Sequence, residues 1–69
     1  MSDRYAEVHD ANGCEYRMLY EIDRDDGGPF PCQRRFRYEG FPWEESRVPQ
    51  RIRDRLIAIA YGQIRGDTE

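Results

Sequence analysis

Lysine is missing from this chain, histidine occurs once and cysteine twice. The positive charge is therefore carried by eleven arginines, side chains that bind phosphate bidentately and stack on bases. The single histidine is His9, and no serine or cysteine has a recognisable base nearby in sequence, so catalysis has little support. There is no Cys-x-x-Cys, no glycine-rich phosphate loop and no His-Glu-x-x-His. One histidine and two cysteines are too few for a structural zinc site without carboxylate help. The sequence predicts a chain that is not an enzyme, with no cofactor, no metal and no small-molecule substrate.

Long apolar runs are also lacking. None approaches the roughly 20 residues that span a bilayer, so no membrane partner is expected. The start, Met-Ser-Asp-Arg-Tyr, has no signal-peptide character. The expected compartment is the cytoplasm, where Cys14 and Cys32 stay reduced. Residues 1–69 are expected to form one small domain, near the lower limit for a hydrophobic core. A charged fraction of 36% raises disorder as an alternative, but nine well-patterned aromatics argue for a fold.

What is abundant is charge, unevenly distributed. Residues 1–30 hold eight acids against three arginines, a balance of −5; residues 31–69 hold eight arginines against six acids, a balance of +2. A small dipolar surface of this kind points to a macromolecular partner.

Apolar periodicity gives the architecture. Cys14, Tyr16, Met18, Tyr20 and Ile22 alternate with polar residues, a half-buried strand. Arg4–His9 precedes it, joined through Asn12-Gly13, a dipeptide that favours a tight hairpin. Phe30, Cys32, Phe36 and Tyr38 mark a third strand on one face, interrupted by Arg34. The segment Asp23–Pro29 between strands two and three reads as a polar turn. From Pro49, Ile52, Leu56, Ile59, Ala60 and Ile64 recur at helical spacing. Gly62 interrupts this helix, either allowing close approach to the sheet or marking a fraying end. The predicted fold is α+β, a three-stranded antiparallel meander covered by one C-terminal helix, in the order β-β-β-α. A turn near Asp26 sets Tyr20 opposite Cys32 and Cys14 opposite Tyr38, leaving both thiols free and largely buried.

Three segments carry functional candidates. The turn from Asp23 superficially matches a calcium loop, but its closing position is Arg34 instead of Glu. Asp23, Asp25 and Asp26, with Asp10, Glu15 and Glu21, instead suggest an anionic surface patterned like nucleic-acid phosphates. Arg34, Arg35, Arg37, Arg47, Arg51, Arg53 and Arg55 suggest the opposite, a nucleic-acid-binding module, although the pI of about 5.1 makes direct nucleic-acid binding the weaker reading. The loop Glu39–Glu45 offers Phe41 and Trp43 as apolar hot spots, or as rings folded back over the core.

In size, acidity and architecture, over the whole chain and without any shared motif, the protein resembles small phage-encoded anti-CRISPR inhibitors. That resemblance implies an inhibitor that binds a protein subunit of a nucleoprotein defence complex, where that subunit reads DNA, in the host cell cytoplasm. The expected partner-binding residues, taken from the residue patterns alone, are Asp10, Glu15, Glu21, Asp23, Asp25, Asp26, Phe41 and Trp43.

Overall fold

The computed structural model describes residues 4–67. It is α+β, but the sheet has four strands, not three. In chain order these are β1 (Arg4–His9), β2 (Glu15–Asp25), β3 (Gly28–Tyr38) and β4 (Phe41–Trp43), antiparallel and sequentially adjacent, followed by the helix α1 (Gln50–Asp67). Among the described residues, no helix is long and apolar enough to cross a membrane.

The fourth strand corrects the reading of Glu39–Glu45 as a loop. Glu39 and Gly40 both adopt positive φ, +51° and +84°, the combination that a two-residue hairpin needs to match strand twist. Tyr38 then pairs Phe41, and Phe36 pairs Trp43. Pro42 is tolerated because β4 is an edge strand, where a missing N–H breaks no ladder bond. The first connection is also different. Asn12-Gly13 does not form a two-residue turn; the carboxylate of Asp10 accepts from the N–H groups of Asn12 and Cys14, both at 2.9 Å, and Gly13 takes φ +83°.

The register is shifted from the expected one. Tyr16 pairs Tyr38 and Met18 pairs Phe36, but beyond Leu19 the partner of Glu21 is Cys32. One extra residue sits in β3 at this step, a bulge where Gln33 takes φ +48°. Because side chains alternate, the bulge reverses which face β3 presents. Phe36 and Tyr38 face α1, whereas Phe30 and Cys32 move to the opposite face, across from Asp23 and Glu21. Pro31 takes the helix-side place and is buried. Arg34 thus marks the bulge and does not interrupt a continuous apolar face. Both cysteines are free, as expected, and half-buried, more exposed than the expected largely buried thiols.

The core lies between α1 and the even-numbered face of β1 and β2. Ala6, Val8, Met18, Tyr20, Phe36 and Leu56 are all at most 5% exposed, and Ile52, Ala60 and Ile64 complete the helix stripe. Tyr20 donates its hydroxyl proton to Gln63, tying the end of the helix to β2. Gly62 is exposed, and a Cβ added there would meet nothing within 4 Å. It neither permits a close approach nor ends the helix, which runs on to Asp67.

Candidate functional site

β2 and β3 are longer than their neighbours. Within the described residues, β1 pairs β2 up to Tyr20, and β4 pairs β3 over Phe36–Tyr38. Among the described residues, Glu21–Cys32 therefore forms a two-stranded arm beyond the four-stranded body. Two features keep its edges from recruiting another strand. On β3, Pro29 and Pro31 remove backbone donors; on β2, Glu21, Asp23, Arg24 and Asp25 line the edge with charge.

The arm gathers four of the six expected acids. Glu21 and Asp23 lie on the face turned away from α1, and Asp25 and Asp26 stand at the tip. All four are exposed. The tip is ordered by its own carboxylates: Asp25 accepts from the Gly27 N–H at 2.8 Å and Asp23 from the Arg24 N–H at 2.8 Å. Gly28 closes the turn at φ +101°. Strand pairing continues through Asp25 and resumes at Gly28, so the turn is shorter than the expected Asp23–Pro29, and no twelve-residue calcium loop exists here.

The other two acids are not brought to the arm. Asp10 spends its carboxylate on the β1–β2 connection. Glu15 begins β2, ten residues and about 33 Å of strand from Asp25. It faces His9 across the ladder and approaches Arg17 at 3.4 Å. Ligand atoms of Glu7, His9 and Glu15 come within 4.8 Å of one another, but the place of a cation is already taken. The Arg17 guanidinium bonds Glu7 at 3.0 Å, a bond that favours its charged form, and lies 4.5 Å from the Tyr5 ring.

Phe41 and Trp43 also part company. Phe41 is 70% exposed. Trp43 packs on the core edge, 5.0 Å from the Tyr38 ring, with the Arg47 guanidinium 4.5 Å above it. Its indole N–H is buried with no acceptor among the described residues. Trp43 is therefore a core-covering ring, and Phe41 is the one presented to solvent.

The arginines form no single basic surface. Arg34 and Arg53 approach Glu45 from two sides, at 3.7 and 3.8 Å. Arg47 is spent on Trp43, and Arg51 and Arg55 are exposed on α1. Arg35 and Arg37 instead share the uncovered sheet face with Leu19 and Pro42, their cross-strand partners. Together with Glu44 and Glu45 they line an open groove of about 640 Å³. Sequence reasoning missed this groove. Its available signal was Leu19, an apolar residue at a polar-face position of β2.

Comparison with protein-family models, curated proteins and solved structures gives no match.

Proposed function

We propose that this protein is an acidic inhibitor that docks its β2–β3 arm on a basic, nucleic-acid-reading surface of a partner protein in a defence complex of the anti-CRISPR target class. The observation that carries the reading is the arm itself. It holds four acids against one arginine, a balance of −3, on a hairpin whose end, Asp23–Gly27, is exposed beyond the helix-covered body. Its edges are blunted against strand pairing, so side-chain charge is what it offers. A narrow anionic hairpin suits a groove built to hold a phosphate backbone, and opposed charge raises association rates. The working compartment of such an inhibitor is the host cytoplasm.

The test uses purified CRISPR effector complexes and an electrophoretic shift of their target DNA. The wild-type protein should abolish the shift, increasingly weakly as salt rises. Glu21→Gln with Asp23→Asn, Asp25→Asn and Asp26→Asn keeps the hydrogen-bond acceptors of the turn and removes the charge. That variant should lose at least tenfold in potency. Undiminished DNA binding across the panel refutes inhibition of this class; a fully potent neutral arm refutes the arm as the interface. Phe41 favours a second reading, an apolar contact at the opposite end of β3, which predicts loss with Phe41→Ala and little response to salt.

A further inference from the structure

We infer that the groove beside β4 is a separate docking site for an extended, carboxylate-bearing peptide segment of a partner protein. It opens beside the β4 edge, where Arg34, Phe36 and Trp43 also line it, and takes in Leu19, Arg35, Arg37 and Pro42 on the sheet face that α1 leaves uncovered. Arg35 has no ion-pair or hydrogen-bond partner among the described residues. Arg37 donates one N–H to the Gly40 carbonyl at 3.1 Å, which fixes the guanidinium over the hairpin and leaves its other donors free. The two arginines stand two residues apart on one strand face, about 7 Å. Alternate carboxylates of an extended peptide have the same spacing and meet them as charge-assisted pairs. Leu19 and Pro42, beside Arg35 and Arg37 respectively, give an apolar side chain of the same segment a floor.

The groove's borders decide between anions. Glu44 lines one side, next to Glu45, which Arg34 and Arg53 already meet, and Glu21 follows Leu19 on the same face of β2. A continuous phosphate backbone leaving the two arginines in either direction runs into these carboxylates, and like charges in contact are repelled. A short segment with two carboxylates does not. Arg34 is already held by Glu45, so two arginines are open to the ligand.

This site is independent of the acidic arm, and its test separates the two. The isotope-labelled full chain is titrated with a capped peptide carrying aspartates at alternate positions beside leucines, and in parallel with oligothymidylate. Saturable amide shifts at Leu19, Arg35 and Arg37 are expected with the peptide. Arg35→Gln, an exposed change that leaves circular dichroism unaltered, should weaken binding about tenfold, equivalent to about 1.4 kcal/mol. A variant neutral only at the arm tip, Asp23→Asn with Asp25→Asn and Asp26→Asn, which keeps Glu21 at the groove's border, should bind the peptide as the wild type does. Absence of saturable shifts, shifts centred elsewhere, tighter binding of oligothymidylate at these residues, or unchanged affinity in Arg35→Gln each overturns the inference.

Discussion

β2 and β3 run through two environments, and the contrast separates what folds the protein from what it presents. In the body, Tyr16, Met18 and Tyr20 of β2 are at most 9% exposed beneath α1. A few residues on, Asp23–Gly27 is entirely exposed. The bulge at Gln33 lies close to this boundary. On its body side β3 gives Phe36 to the core; on the arm side it turns Phe30 and Cys32 outward beside acids. Apolar burial supplies most of the stability of a small domain, so sequence in the body is constrained by packing. Beyond Ile22 and Pro31, which pack at its base, the arm is held by ladder bonds and turn carboxylates, and its surface is free to carry charge.

The sharpest way to break this comparison is to open the body. Leu56 is fully buried at the centre of the helix stripe. Leu56→Ala should cost about 2–5 kcal/mol, comparable with the whole stability expected for a chain of this size. Urea unfolding should show a large loss, with the variant mostly unfolded at 37 °C. A midpoint like that of the wild type would mean that α1 does not seal the core.

How much of this was legible beforehand depends on which residues carry the signal. β1 is found at Arg4–His9 as expected, because Ala6 and Val8 alternate cleanly with polar neighbours. The helix stripe through Leu56 and Ile64 is equally direct. The bulge was hidden because a glutamine at φ +48° has no sequence signature, and without it Phe30 and Cys32 appear to belong to the core face. β4 was hidden because Pro42 argues against a strand, and its edge position is a tertiary fact. For the site, composition identified the acids but not their separation. Only the length of β2 splits Asp10 and Glu15 from the four arm residues, and only packing tells Trp43 from Phe41.

Alkaline pH should loosen the body next. Burial raises the hydroxyl pKa values of Tyr16 and Tyr20, and the neighbouring Cys14 thiol pushes Tyr38 up to about 12, from an ordinary 10.0. A raised folded-state value means that the fold favours the neutral phenol. The resulting stability is complete below about pH 10 and is lost as pH climbs through the raised values. Urea midpoints should therefore fall between pH 10.0 and about 12, with tyrosinate absorbance rising as the fold is lost. A flat midpoint over this window would contradict the packing around these rings.

A smaller change of opposite sign is expected on the helix surface. Gly62 has helical neighbours on both sides and open space where a side chain would sit. Gly62→Ala removes backbone freedom from the unfolded chain without a clash, and should raise stability by about 0.5–1 kcal/mol. Thermal unfolding by circular dichroism reads this directly. A destabilised variant would contradict the open space found at that position.

The smallest stability effect should come from the arm, and it sharpens the comparison most. Replacing Glu21 with Gln and Asp23, Asp25 and Asp26 with Asn alters four charges while burying and exposing almost nothing. The amide oxygens can still accept from the Arg24 and Gly27 N–H groups that the aspartates now hold. Clustered like charges repel in the wild type, and removing them offsets any weakening of those turn bonds. The net change in unfolding free energy should stay within about 0.5 kcal/mol, as for most surface substitutions. Unchanged urea midpoints alongside lost inhibition would separate the two regions: packing in the body carries the fold, and charge on the arm carries the contact. A loss approaching that of Leu56→Ala would instead mean that the acids hold the hairpin together, and that fold and charge are not divided at the bulge.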